Sequence, residues 1–153
     1  MSLDLNKVLA IGLPLIKRFE GLRLKPYLCS AGIPTIGYGS TYYPSGRKVT
    51  LADLEITEPT ASSLLENTVN TTFLPGVITL CPGLKTENQA AAILSWTYNL
   101  GVGALRGSTL RKKINTEDWE AVPGEILKWD KAGGKQNLGL SKRRALEASI
   151  FVT

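Results

Sequence analysis

Arg18-Phe19-Glu20-Gly21, Tyr27-Leu28-Cys29 and Pro34-Thr35-Ile36-Gly37-Tyr38-Gly39 belong to one stretch around which the rest of this 153-residue chain is arranged. Glu20 closes an apolar segment of helical spacing (Leu13, Ile16, Phe19), and Gly21 is a ready helix terminator. Tyr27-Leu28-Cys29 and Thr35-Ile36-Gly37-Tyr38 read as two short strands around a turn at residues 30–34. A hairpin closed by that turn sets Cys29 opposite Thr35, with Cβ atoms roughly 5 Å apart. Alternation then puts Thr35, Gly37 and Gly39 on one face and Ile36 and Tyr38 on the other. A face with one hydroxyl and two absent side chains is one that a ligand can approach closely.

Working outward, residues 4–20 read as a helix that Asp4 can cap, with Pro14 kinking it or starting its second piece. Residues 24–49 carry the pattern of short strands and turns, ending in a second turn signal at residues 43–47. Thr57 then caps a helix with Pro59 in its first turn, and Ala61, Leu64, Leu65, Thr68 and Val69 form its apolar stripe. This helix reads as a connector between two lobes, and Pro75-Gly76 and Pro82-Gly83 read as breaks in the segment after it. From Thr86, where Thr86 and Gln89 resemble a capping box, the pattern is helical to the end, with Gly-rich joints between helices at 108–114, 116–128 and 141–151. The expected architecture is a single α+β domain over residues 1–153. Its lobes are a small β-containing one (about 13–56) and a larger helical one (about 57–153).

Composition bounds the function. Hydrophobic residues at 43% and charged residues at 20% describe a globular chain able to bury a core. A formal charge of +5 favours an anionic partner, but the basic residues are scattered and form no nucleic-acid-binding arm. Histidine is absent, which excludes Ser-His-Asp and Cys-His nucleophilic sites and His-containing zinc sites. Cys29 and Cys81 are too few for a structural metal site and are expected as free thiols, so neither metal nor cofactor is anticipated. The apolar run at residues 8–16 is interrupted by Gly12 and Pro14 and is short of the ~20 residues of a membrane span, so it reads as a core helix without stable membrane insertion.

Glu20, eight residues, Cys29, five residues, Thr35 resembles the Glu-x8-Asp/Cys-x5-Thr signature of phage-type lysozymes, the endolysin muramidases of glycoside hydrolase family 24. Three further segments are similar to family segments in the same order: Ser95-Trp96-Thr97-Tyr98-Asn99 through Leu110, Trp129 with Ala132-Gly133-Gly134, and Gly139-Leu140-Ser141-Lys142-Arg143-Arg144 through Glu147. The resemblance implies a lysozyme-like fold with a cleft between the lobes. The implied reaction is hydrolysis of the β-1,4 bond between N-acetylmuramic acid and N-acetylglucosamine. Glu20 would be the general acid, Cys29 and Thr35 would hold the attacking water, and Tyr38, Tyr98 and Asn99 would contact sugars. For Tyr98 and Trp96 a packed helix face is an equal reading.

An ordinary glutamic acid, with pKa ~4.3, is protonated about once in 500 molecules at pH 7, so acid catalysis there calls for desolvating walls. Phe19, Leu22 and Leu24 are the apolar candidates. Direct attack by water would invert the anomeric centre across a gap of roughly 6.5–9.5 Å. The family's usual histidine after the Thr-Ile-Gly-x-Gly run is Ser40 here. The implied partner is bacterial peptidoglycan, met by a monomer that waits in the host cytoplasm until a holin-type pore admits it to the wall. Lytic transglycosylation and a non-catalytic basic module binding wall polymer or nucleic acid are the rival readings.

Overall fold

In the computed structural model, which describes residues 2–153, the chain forms two compact units. One comprises the residues up to Leu13 together with Phe73–Thr153, and the other comprises Pro14–Thr72. The division falls within the first helix, α1 (Leu5–Glu20), at its internal Pro14. Asp4 caps α1 as its position suggests, its Oδ1 accepting from the N–H groups of Asn6 (3.0 Å) and Lys7 (3.3 Å). The Gly21 N–H closes the last turn on the Lys17 carbonyl at 3.1 Å. Val8 and Ile16 of the apolar run are fully buried, and Gly12 packs on Ala91 and Leu94.

Within Pro14–Thr72, β1 (Arg23–Leu28) pairs antiparallel with β2 (Pro34–Gly37). The register is Arg23↔Gly37, Tyr27↔Thr35 and Leu28↔Pro34, with a bulge in β1 between the first two pairs. The hairpin is thus where the sequence places it, but β1 ends one residue early, and Thr35 faces Tyr27 rather than Cys29. The cause is the turn. Gly32, at φ +75°, donates to the Cys29 carbonyl (2.8 Å), and Cys29 donates to the Ile33 carbonyl (3.1 Å), so Cys29 is the first residue of the loop.

Helix α2 (Glu58–Thr68) is capped by Thr57, whose side chain accepts from the Thr60 N–H. It packs against β2 and belongs to this unit, which differs from its expected role as a connector. Ile36, Val49 and Leu64 form the core here, with Tyr43 and Ile56 against it. Each fully buried aliphatic side chain contributes about 1.5–3 kcal/mol. Gly37 does not border open space: a Cβ there would stand 3.1 Å from Ala61 Cβ. The face expected to admit a ligand is, at this residue, the seat of α2.

The other unit is built on α4 (Glu87–Leu100), buried continuously from Ala90 to Thr97 and started by the expected capping box of Thr86 and Gln89. It packs against α8 (Leu138–Phe151), as does α7 (Val122–Leu127). Pro75 is no break: it occupies the first turn of α3 (Leu74–Leu80), where a missing N–H costs nothing, after a π-helical turn at Val69–Phe73. Short helices α5 (Val102–Arg106) and α6 (Thr109–Asn115) follow α4. The segment from Thr86 onward is not helical throughout, because β3 (Lys131–Ala132) and β4 (Lys135–Gln136) form a second hairpin around Gly133-Gly134. Glu147 is fully buried between α8 and α4. Its carboxylate accepts from Ser95 Oγ (2.6 Å) and meets Arg144 Nε at 2.7 Å and Arg143 Nε at 3.3 Å. Burial pushes this carboxyl above the usual range, against the pull of both guanidinium groups.

Candidate active site

Glu20, Cys29, Thr35 and Tyr38 all fall within Pro14–Thr72, whereas Tyr98 and Asn99 fall in the other unit. Glu20 is the last residue of α1 and is partly exposed. Phe19 beside it is partly buried under the Arg18 guanidinium, 5.5 Å from its ring centroid. Leu22, anticipated as an apolar wall, is 39% exposed.

Cys29 is a free, partly exposed thiol at the mouth of the hairpin loop. The amide N–H groups of Ile33 and then Ala31, with the Thr35 hydroxyl, hold it below the ordinary thiol pKa. Thr35 is nearly fully buried, and its hydroxyl donates to the Ile33 carbonyl at 2.8 Å. That bond leaves the oxygen lone pairs of Thr35 for the thiol or a water. The cross-strand opposition inferred from sequence is absent, yet the loop returns the thiol to hydrogen-bonding reach of the same hydroxyl.

Tyr27 links these groups, a role that sequence reasoning misses. It faces Thr35 across the hairpin, and its phenol is held above its ordinary pKa by burial, then by the charges of Glu20 and Cys29, against Arg23. The Arg23 guanidinium lies 4.3 Å from the Tyr27 ring centroid. The signal available in the sequence was the register: counting the hairpin from Pro34 rather than from Cys29 puts Tyr27 beside the threonine.

Tyr38 is 8% exposed and donates its hydroxyl to Glu58 Oε2 at 2.7 Å. That bond raises the phenol's pKa, while Ser62 and then Tyr38 lower that of Glu58. Lys17 Nζ lies 5.1 Å from the Tyr38 ring centroid and donates to Ser62 Oγ at 2.7 Å. Tyr98 packs on Phe73, with centroids 4.9 Å apart, in keeping with the packed-face alternative. Asn99 Oδ1 is buried with no hydrogen-bond partner among the described residues. Ser40 Oγ, at the position of the family's usual histidine, is likewise buried and unpaired among them. No group of three or more metal-binding side chains exists among the described residues.

Comparison with known proteins places this arrangement. The family model described as phage lysozyme matches residues 17–147. The endolysin of Acyrthosiphon pisum secondary endosymbiont phage 1 is 40% identical over 144 residues, covering 92% of this chain and 94% of that protein. The endolysin of Bacillus phage B103 is 41% identical over 147 residues, covering 93% of this chain but 52% of that protein, so the chain spans about half of its length. Among solved structures, the endolysin of Escherichia coli O157:H7 phage FAHEc1 superposes with a TM-score of 0.84 at 35% identity, covering 99% of this chain and 94% of that one. The helix-rich architecture with two small hairpins is the lysozyme-like fold. The chain belongs to the phage lysozyme family and is a lysozyme, a hydrolase of bacterial peptidoglycan for host-cell lysis.

Proposed function

We propose that this lysozyme cleaves the β-1,4 bond between N-acetylmuramic acid and N-acetylglucosamine, with Glu20 as general acid and Cys29 and Thr35 holding the attacking water. The observation that carries the reading is the grouping of these residues in one unit. Cys29 and Thr35 are within hydrogen-bonding reach of each other, and Tyr27 senses the charges of both Glu20 and Cys29. Glu20 protonates the departing glycosidic oxygen. The water rests on Thr35 Oγ1 and the sulfur of Cys29 and attacks the anomeric carbon from the opposite side, so the centre inverts. The hydroxyl rotor of Thr35 suits both protonation states of the thiol. It donates to the Ile33 carbonyl beside S–H, and it can swing to donate to S⁻.

The unpaired Asn99 Oδ1 supports a sugar-contact role, and Tyr98 precedes it at the end of α4 as the second proposed contact. Tyr38 contributes its ring edge, since its hydroxyl is committed to Glu58. The enzyme acts as a monomer on peptidoglycan and binds no nucleic acid. It stays in the host cytoplasm until a holin-type pore opens the membrane. Burial of Val8 and Ile16 in the folded chain supports the reading of that apolar run as core. No helix among the described residues is long and apolar enough to cross a membrane.

Turbidity clearing of purified peptidoglycan by wild type and Glu20→Gln tests the reading. The variant keeps the side-chain shape but has no proton to deliver, so activity falls ~10²–10⁴-fold with unchanged melting temperature. Retention of more than about a tenth of activity removes Glu20 from the acid's role, and anhydro-sugar ends in the products would replace hydrolysis by transglycosylation.

A further inference from the structure

The bulge in β1 separates the pairs Arg23↔Gly37 and Tyr27↔Thr35 by two extra residues, and across it the Arg23 guanidinium lies over the Tyr27 ring, 4.3 Å from the centroid. Bulges of this kind re-aim side chains beside functional sites. A groove of about 430 Å³ runs along the strand here, lined among others by Leu22, Arg23, Lys25, Pro26, Tyr27 and Glu55. It meets the proposed catalytic group at Tyr27.

Arg23 and Lys25 are exposed, and neither forms an ion pair or a side-chain hydrogen bond among the described residues. The Tyr27 ring restrains the guanidinium without engaging its N–H donors, which a carboxylate can meet with two parallel hydrogen bonds. Glu55 is the one acidic lining residue, so the groove carries two cations against one anion.

We propose that Arg23 and Lys25 form a subsite for carboxylates of the peptidoglycan strand, with Tyr27 as the platform that orients Arg23. It rests on the reading that Glu20, Cys29 and Thr35 do the chemistry, because it places this groove along the same bound strand. Two sources carry the required group: the stem-peptide carboxylates of intact peptidoglycan, and the lactyl carboxylates bared when the peptides are removed.

The test compares kcat/KM on intact sacculi, on sacculi whose carboxylates are blocked as amides, and on peptide-stripped strands with and without the same blocking. Wild type is expected to prefer free over blocked carboxylates by about 5–10-fold, through KM, as suits a partly exposed charge-assisted contact. Arg23→Gln and Lys25→Gln each reduce that preference towards one, and Glu55→Gln, which removes the opposing anion, increases it. A preference confined to intact sacculi assigns the stem peptide, and one found on stripped strands assigns the lactyl group. Equal losses on free and blocked substrates, or a preference unmoved by Arg23→Gln and Lys25→Gln, would overturn the subsite while leaving the role of Glu20 standing. Co-sedimentation of the same proteins with the same sacculi reads binding without hydrolysis. An active Glu20→Gln enzyme therefore refutes the catalytic reading and leaves the carboxylate preference to be decided by binding.

Discussion

Replacing Gly37 by alanine probes the contact that seats the β1–β2 hairpin on α2, and its cost can be built from two separate quantities. Gly37 has φ +68°, where an L side chain costs about 1–2 kcal/mol. The added Cβ would also lie 3.1 Å from Ala61 Cβ, 3.4 Å from Ala61 Cα and 3.7 Å from Ile56 Cδ1. The nearest of these is closer than ordinary van der Waals contact and is anchored by helix backbone, so relief requires a shift of β2 or α2, and overpacking of this kind costs about 1–3 kcal/mol. The sum is about 2–5 kcal/mol, a large share of the ~5–15 kcal/mol typical of a domain. For a chain of this size it lowers the melting temperature by roughly 4–20 °C. Gly32→Ala is the internal control: its φ is +75° but nothing lies within 4 Å of the added atom, so it bears the backbone cost alone. Urea denaturation of both variants should therefore separate them by about 1–3 kcal/mol. Ala61→Gly added to Gly37→Ala should recover most of that difference in a double-mutant cycle. Equal destabilisation by the two alanines, or no recovery in the cycle, would refute the argument that α2 is seated through this close approach.

At Cys29 two results are expected together. Iodoacetamide labels Cys29 with an ionisation midpoint below that of a free thiol, while Cys81, buried and pushed up to about 11, is labelled only on unfolding, as peptide mass mapping would show. Activity survives Cys29→Asp and falls at least tenfold in Cys29→Ala, and near wild-type hydrolysis by the alanine variant would make Cys29 a bystander. Asp53 anchors the loop before α2, accepting from Tyr43 (2.6 Å) and from Thr50 (2.8 and 2.9 Å), bonds that hold its carboxyl far below the usual range. A depressed carboxyl contributes stability above its unfolded pKa of ~3.9 and loses it as pH falls towards the folded value, so Asp53→Asn lowers the melting temperature at pH 7 and this deficit shrinks in strong acid. A deficit independent of pH would mean that the carboxylate's charge has no part in the anchoring.

The elements that the sequence made legible are those whose signals are local. Asp4, Thr57 and Thr86 cap helices because the capping bond spans two or three residues, so its partners are visible together in the sequence. The family signature gathers Glu20, Cys29 and Thr35 within sixteen positions, and the fold keeps them in one unit. What failed depended on partners far along the chain or on backbone geometry. Gly37 read as open space because Ala61, which fills that space, comes from a later helix. Pro75 read as a break because the preceding π-helical turn, which makes it the start of α3, has no residue signature. The β3–β4 hairpin is two residues per strand, too short for alternation to register.

The displaced register of the β1–β2 hairpin also bears on how a cysteine could serve at position 29 in the proposed site, where the family signature takes either Asp or Cys. Had Cys29 lain inside β1 opposite Thr35, the nearby amides would have been engaged in the ladder, leaving the sulfur with the Thr35 hydroxyl alone. As the first residue of the loop it faces the N–H groups of Ile33 and Ala31, neither of which donates to another backbone carbonyl among the described residues. Donors of that kind favour the charged form of whatever side chain meets them, thiol or carboxyl alike. The same donors would favour an aspartate carboxylate at this position, and they lower the pKa of the thiol that stands there. Thr35 stays in the strand and its hydroxyl donates to the Ile33 carbonyl, so its oxygen remains available as an acceptor for the water of the proposed reaction. The loop supplies the donors and the strand supplies the acceptor. In the proposed reaction, separating the two by the Cys29–Ile33 turn would let one short hairpin present a thiol or a carboxylate to the attacking water.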